Sequence, residues 1–339
     1  MSDTYNIAVV GATGAVGGVM LKLLEERNFP VGSLRALASG RSAGQTVVFR
    51  GEEIEVEELT TDSFEGVQIA LFSAGGDRSR DFAPAAVAAG AVVIDNSSAF
   101  RMEANVPLVV PEVNPEDVKW HEGIIANPNC STIQMVVALK PIFDAVGIER
   151  IIVTTFQSVS GTGNKAIEEL FSQSGAVLES GEVEVNVYPH RIAFNVLPHI
   201  ENFHEDGYTN EEIKMGNETR KIFSDPQIGI SATCVRVPVY NAHSEAVNIQ
   251  TSRPISVEEV RRLLLSAPGV TLLDDPAANE YPMPLLAEGR DDVFIGRIRV
   301  DASAENSLNL WVVSDNLRKG AATNAIQIAE LLVDGGLLA

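Results

Sequence analysis

Tyr5-Asn-Ile-Ala-Val-Val-Gly11-Ala-Thr-Gly14-Ala-Val-Gly17 is the stretch on which the fold turns. Its first six residues form a short, β-branched, apolar run, as a buried strand requires, and glycines follow at once. Behind them Val16, Val19, Met20, Leu23 and Leu24 recur at helical spacing. A strand that turns on glycines into a helix opens a doubly wound nucleotide-binding domain. The glycines permit the tight turn and let backbone N–H groups approach a pyrophosphate at the helix N-terminus. On that reading Gly11, Thr13, Gly14, Ala15, Val16 and Gly17 bind a dinucleotide. The spacing is Gly-x-x-Gly-x-x-Gly, with the middle glycine one place late, and a purely structural turn is the plainer alternative.

Outward from this unit, strands are predicted at residues 34–38, 67–72 and 91–95, the last two separated by an alanine-rich helix near 80–89. Strands alternating with helices imply a parallel sheet with right-handed crossovers. The end of the second strand selects the cofactor. Ala38-Ser39-Gly40-Arg41-Ser42 lacks the acid that would hold a ribose 2′-hydroxyl. It offers Ser39, Ser42 and the Arg41 guanidinium to a 2′-phosphate instead, so NADP is expected. A solvated loop arginine is the bland alternative.

The chain has 339 residues, 45% hydrophobic and 21% charged, which is an ordinary globular composition with room for two cores. A net charge of −21 argues against nucleic acid or an anionic membrane as a general partner. An anionic substrate would therefore need a local cluster of arginine and lysine set against the overall field. Apolar runs such as 7–10 and 85–94 are too short or too interrupted to cross a bilayer. Met-Ser-Asp-Thr-Tyr-Asn at the start has neither a basic region nor an apolar signal core, so a cytoplasmic setting is expected. The two cysteines, Cys130 and Cys234, exclude a multi-disulfide framework, and no metal site is expected.

After Cys130 the texture changes. A helix over 131–146 leads to a strand at 151–157, and further strands follow at 232–239, 246–251, 294–300 and 308–313. Polar and apolar residues alternate at 296–300 and 307–310, as in an antiparallel sheet with one wet face. The fold class is therefore α/β: an N-terminal Rossmann-like NADP-binding domain, then an α+β substrate domain with a largely antiparallel sheet. The expected domains are 1–129, joined by a C-terminal helix within 316–339 that packs back, and 130–315. The proline- and acid-rich stretch 267–284 reads as a surface excursion.

Asn127-Pro-Asn-Cys-Ser-Thr132 follows the apolar run 123–126 and precedes a helix. Proline and asparagine end the strand and leave Cys130 at a helix start, where the macrodipole and unspent N–H groups favour thiolate. An inert buried cysteine is the commoner fate, and Cys234, inside a strand, reads that way. A thiolate and a nicotinamide together suggest one chemistry: thiol addition to an aldehyde, hydride loss to NADP, and a thioester cleaved by phosphate or water.

These motifs, with Asp95-Asn-Ser-Ser-Ala-Phe-Arg101, Phe156-Gln-Ser-Val-Ser-Gly161 and Cys234-Val-Arg-Val-Pro-Val-Tyr-Asn-Ala-His-Ser244, resemble the bacterial aspartate-semialdehyde dehydrogenase family over essentially the whole chain. The resemblance implies that Cys130 is the acyl-forming nucleophile. It makes His243 the general acid/base at the thiohemiacetal oxygen, a task its near-neutral intrinsic pKa suits. Gln157 would orient the substrate, and Asn129 would donate to the oxyanion. Ser160 and Gly161 would lie near the nicotinamide, with Asn316 on its carboxamide. Arg236 would clamp the substrate carboxylate, Arg101 and Lys214 would bind phosphate, and Glu211 would meet the substrate ammonium. From spacing alone Glu211 and Lys214 would be a solvated helix pair, and a lone histidine is usually structural.

The implied reaction is NADPH-dependent reduction of 4-phospho-L-aspartate to the 4-semialdehyde, in lysine, methionine, threonine and diaminopimelate biosynthesis, by a homodimer. Two rivals remain. N-acetyl-γ-glutamyl-phosphate reductases typically place glycine before the cysteine and an aromatic-proline pair after it, whereas Asn129 and Ser131-Thr132 flank it here. A catalytically inactive NADP-binding paralogue would lack the cysteine or the histidine, and both are present.

Overall fold

Strand β1 (Tyr5–Val10) runs through the glycine turn into helix α1 (Ala15–Glu26), and β2 (Val31–Ala38) returns parallel to it. The computed structural model describes residues 4–338. The first three residues of the stretch considered for export, and the last residue of the 316–339 segment, lie outside the described residues. β3 (Thr46–Phe49), β4 (Glu52–Glu58), β5 (Ile69–Phe72), helix α2 (Gly76–Ala88), β6 (Val92–Asp95) and β7 (Ile124–Ala126) complete a seven-stranded sheet. Its order is β3-β4-β2-β1-β5-β6-β7. Every pair is parallel except the β3/β4 hairpin.

β5 and β6 are buried at every position, which is why their sequences are continuous apolar runs rather than alternating ones. The hairpin was not legible. Glu52, Glu53, Glu55, Glu57 and Glu58 disguise β4 as a solvated segment, yet Val56 and Phe49 anchor the pair to the core.

The following stretch contains α3 (Cys130–Val146), β8 (Ile148–Gln157), α4 (Asn164–Leu178), α5 (Asn210–Ile222), β9 (Gly229–Arg236), β10 (His243–Thr251) and α6 (Val257–Leu265). After these come β11 (Val270–Leu272), α7 (Pro284–Ala287), β12 (Val293–Val300) and β13 (Ser307–Ser314). The sheet runs β11-β12-β13-β10-β8-β9. Its three central pairings are antiparallel, while β8/β9 and β11/β12 are parallel. Helix α3 lies on this sheet and is buried from Ser131 through Leu139, polar residues included. The stretch 267–284 is more than an excursion. It supplies edge strand β11, and the Pro282 carbonyl accepts from the Trp311 indole at 3.0 Å.

Two compact units result: the chain through Asn129 together with the stretch from Ala321 onward, and Cys130–Gly320. The returning piece is helix α8 (Thr323–Asp334), which occupies only part of 316–339 and follows a five-residue π-helical turn. Its Ala325, Ile326, Ala329 and Leu332 join Met20, Leu23 and Ile94 in the first unit's core. Arg27 adds a bidentate pair to Glu330 at 2.8 and 2.7 Å. No described helix is long and apolar enough to cross a membrane.

Candidate active site

Parallel pairing sets Gln157, the last residue of β8, opposite Arg236, the last residue of β9. β10 is antiparallel to β8 and starts at His243, so its first residues lie beside the end of β8. Three polar side chains from distant parts of the sequence therefore meet at one end of one sheet. Sequence reading placed the start of β10 at 246 and so left His243 in a loop. The polar run His243-Ser244-Glu245 concealed three residues of strand, all buried.

Cys130 opens α3 and is partly exposed, and neither cysteine is in a disulfide. A close neighbour, Gly320, has no counterpart among the sequence motifs. A Cβ on Gly320 would lie 2.9 Å from the Cys130 Cβ and 3.3 Å from its Cα, so only glycine lets the chain pass. Nothing in the local sequence distinguishes this glycine. Cys234 lies inside β9, and burial, followed by the nearby Glu211 charge, pushes its thiol far above the usual range. It stays protonated and unreactive.

His243 is fully buried. The Ser158 backbone N–H donates to its Nδ1 at 3.0 Å. The Ser158 hydroxyl is 3.0 Å from the same nitrogen and donates to the Asn316 carbonyl oxygen, also at 3.0 Å. A buried backbone N–H needs a lone pair, so Nδ1 is the acceptor and the ring hydrogen sits on Nε2. Nε2 itself has no hydrogen-bond partner among the described residues. A Cβ on Gly161 would come within 3.3 Å of Nε2 and 3.1 Å of Arg236 Nη1, so Gly161 keeps open the space on which both converge. Burial first, and the Arg236 guanidinium second, hold the imidazole well below its ordinary value. The expected near-neutral titration is thus corrected: desolvation and a neighbouring cation both oppose the charged ring.

Gln157 Nε2 donates to Glu211 Oε1 at 3.0 Å, and Lys214 Nζ lies 3.6 Å from Glu211 Oε2 while also pairing closely with Glu201. Glu211 is only 3% exposed, which rules out the solvated pair that spacing suggested. The Thr209/Glu212 capping box starts α5 at the right place to aim Glu211 inward. Arg236 is buried; its Nη1 donates to the Ser158 carbonyl at 2.7 Å, and its Nε has no hydrogen-bond partner among the described residues. That leaves the Nε/Nη2 edge for a planar anion.

Asn316 and Ser160, expected near the nicotinamide, are tied to each other and to the chain around His243. The Asn316 carbonyl accepts from Ala242 N–H at 2.9 Å, Ser158 Oγ at 3.0 Å and Ser160 Oγ at 3.2 Å, and its amide donates back to Ser160. These two residues hold the loop around His243.

Arg101 and Asn129 belong to the first unit and are buried. Arg101 Nε and Nη2 donate to the carbonyls of Asn127 and Asn96, both at 2.9 Å, so this arginine fastens the 95–101 segment to the chain before Asn129.

The first unit also carries the glycine cradle. Gly11 has φ +87°, and a Cβ there would lie 2.5 Å from the Ser73 carbonyl oxygen. A Cβ on Gly17 would lie 2.1 Å from the Gly11 oxygen. Gly14 caps α1 without a side chain, so no side chain caps the first-turn N–H groups, with Ala15 and Val16 in that turn and Thr13 just before it, an arrangement suited to an anion. Thr13 Oγ1 reaches Ser42 Oγ at 3.4 Å, which ties the turn to the loop of Ser39 and Arg41. Arg41 is exposed. These features fit a dinucleotide phosphate chain. Glu58, from β4, approaches a Gly40 Cβ position to 2.7 Å, an acid that a search confined to the loop could not reveal.

Two families match. "Semialdehyde dehydrogenase, NAD binding domain" covers residues 6–121, and "Semialdehyde dehydrogenase, dimerisation domain" covers 139–319. An aspartate-semialdehyde dehydrogenase of Aquifex aeolicus is 60% identical over 338 residues, spanning 98% of this chain and 99% of that protein. Aspartate semialdehyde dehydrogenase II of Vibrio cholerae, in a crystal structure complexed with ASA, superposes with a TM-score of 0.96 at 52% identity, covering 98% of this chain and 99% of that one. A Candida albicans aspartate semialdehyde dehydrogenase crystallised with NADP gives 0.77 at 28% identity, covering 97% and 98%.

Proposed function

The chain belongs to the aspartate-semialdehyde dehydrogenase family, an NADP(H)-dependent oxidoreductase group acting on an aldehyde in lysine, methionine, threonine and diaminopimelate biosynthesis, and from that premise we propose how its own residues act. The observation that carries the proposal is the meeting of Gln157, Arg236 and His243 at one sheet end, beneath the helix that Cys130 opens.

Arg236 receives the substrate carboxylate on its Nε/Nη2 edge, and the Glu211 carboxylate, held by Gln157, receives the ammonium. Arg101 and Lys214 hold phosphate, and Asn129 adds a donor near the reacting carbonyl. The Cys130 thiolate attacks the acyl carbon of 4-phospho-L-aspartate, the carbon–oxygen bond to phosphate breaks, and a thioester remains. NADPH bound to the first unit would supply a hydride to that carbon. The alkoxide so formed rebuilds its carbonyl as the carbon–sulfur bond breaks, which releases the semialdehyde and returns the thiolate.

The departing phosphate takes one proton from solvent as it becomes HPO4²⁻, and the hydride transfer and collapse need no proton from the protein. A neutral His243 with hydrogen on Nε2 therefore suits these steps, because it donates to the oxygen as negative charge develops and needs no titration. The cradle of Gly11, Gly14 and Gly17 holds the pyrophosphate, and Ser39, Arg41 and Ser42 face the 2′-phosphate. The match to a dimerisation domain supports a homodimer, and the biosynthetic role fits the cytoplasm.

The test has two arms. The full chain is mixed with 4-phospho-L-aspartate without NADPH, quenched in acid and weighed; an aspartyl adduct localised to Cys130 is expected, and its absence refutes the thioester. Phosphate-dependent NADPH formation should be fast with aspartate 4-semialdehyde and slow with N-acetyl-glutamate semialdehyde. The opposite preference would transfer the chain to the reductase of the acetylated substrate.

A further inference from the structure

We propose that Tyr188 fixes the plane of the Arg236 guanidinium and so determines the preference for a substrate with a free α-carboxylate. The inference rests on the assignment of Arg236 to that carboxylate.

Arg236 Cζ lies 5.9 Å from the centroid of the Tyr188 ring, a cation–π distance. Nη1 is fixed to the Ser158 carbonyl at 2.7 Å, so the remaining freedom of the guanidinium is a swing of its plane about that anchor. A ring against one face removes the swing and leaves Nε and Nη2 pointing one way. It also keeps water off that face, which strengthens the charge-assisted bonds the free edge can make.

Tyr188 is not a loose surface ring. Glu169 of α4 is a buried carboxylate whose Oε2 accepts the N–H groups of Asn186 at 2.8 Å and Val187 at 2.6 Å. The chain is thus pinned immediately before the tyrosine. The ring packs on a cluster that includes Val159, Leu170, Ile192 and Leu197. Leu197 in turn exchanges two backbone hydrogen bonds with Arg236, at 2.9 and 2.8 Å. On the other side the Tyr188 hydroxyl donates to Thr162 Oγ1 at 3.1 Å, next to Gly161 in the turn that faces His243. Burial raises the phenol, against the opposing pull of Arg236, so the ring is neutral and the hydroxyl remains a donor. Loop, turn and strand end form one packed body, with the guanidinium clasped inside it.

The experiment is steady-state kinetics of the full chain in the phosphorylating direction, with L-aspartate 4-semialdehyde and its α-carboxamide as alternative substrates. Tyr188→Ala should raise KM for the semialdehyde by about 5- to 30-fold, the range of one desolvated cation–π contact. Its kcat, and KM for phosphate and NADP, should shift by no more than about twofold. The preference for carboxylate over carboxamide should fall by the same factor as KM rises. Tyr188→Phe, which keeps the π face, should recover most of the affinity. Tyr188→Leu, which keeps bulk alone, should resemble Tyr188→Ala. Leucine matching phenylalanine, or alanine raising every KM alike, overturns the proposal. Arg236→Lys is the reference. If it leaves semialdehyde KM unchanged, the carboxylate assignment itself falls, whereas a large effect there with none at Tyr188 defeats only this inference.

Discussion

On the proposed function, the glycine turn after β1 and the sheet end in the second unit solve the same problem, holding an anionic molecule in an acidic protein, by opposite means. The turn works with backbone: its glycines exist so that no side chain intrudes, and the contacts it offers are N–H groups. The sheet end works with side chains from β8, β9, β10 and α5, each locked by a neighbour. Function in the turn is therefore robust to most side-chain changes nearby but not to an added Cβ, while the sheet end depends on individual polar atoms. The largest effects of single truncations should fall in the second unit.

The first way to break this contrast is Cys130→Ala, which should lower turnover by ~10⁴-fold or more, as removal of a covalent nucleophile does, while NADP affinity measured by titration calorimetry stays near that of the parent. Cys234→Ala should keep most activity, and a stoichiometric alkylating reagent should modify Cys130 first, because its partner is a buried, high-pKa thiol. Inactivation that tracks alkylation of Cys234 would reverse the two roles.

Next in size is His243→Ala, for which loss of one donor to the developing oxyanion predicts a fall in kcat of ~10² to 10³-fold. The sharper measurement is the pH profile of the parent. Burial and Arg236 depress the imidazole, so its neutral form persists as pH falls through the usual histidine range. Saturated kcat should show no limb at about pH 6.5, the ordinary histidine value. A limb there that vanishes in the variant would mean the ring titrates as a base and the Ser158 N–H does not set its tautomer.

The contrast also explains what the sequence revealed. The first unit was legible because β1, the glycines and α1 are contiguous, and buried parallel strands show as unbroken apolar runs. Cys130 was legible because strand, proline and helix start fall within six residues. Arg236, Glu211 and His243 were not assignable from spacing, since β8, β9 and β10 come together only through sheet pairing; the resemblance supplied their roles. Gly320, Tyr188 and Ser158 escaped altogether. Their importance lies in what they touch, and no local pattern records that.

A smaller effect is expected in the first unit, where Arg41 is a side-chain addition to a backbone site. A guanidinium on the 2′-phosphate contributes on the order of 1.5–3 kcal/mol, so Arg41→Ala should weaken NADPH by roughly 10- to 150-fold. NADH, lacking that phosphate, should be almost unaffected. Equal losses for both cofactors would show that Arg41 does not read the phosphate.

The smallest effect should appear in stability and not in turnover. Glu245 lies two residues beyond His243 on β10 and is fully buried, with Thr155 of β8 and Val312 of β13 opposite it in register. Its oxygens make no hydrogen bond of normal geometry. Burial, the larger cause, and the charge of Glu211 on α5 raise its pKa well above the usual value, opposed by the Gln134 side chain on α3; the Cys234 thiol on β9 is its remaining titratable neighbour. Burial thus favours the protonated carboxyl in the folded chain, while the unfolded chain releases the proton near the ordinary glutamate value. A raised folded-state pKa gives stability that is present below the unfolded value and lost as pH rises toward the folded one. Glu245→Gln has nearly the same shape and nothing to ionise. Its melting temperature relative to the parent should therefore climb between about pH 5 and pH 8, in scans run at one fixed rate. A difference that stays constant across that range would mean that Glu245 is ionised in the fold, and that the sheet end carries one more buried charge than its hydrogen bonds can satisfy.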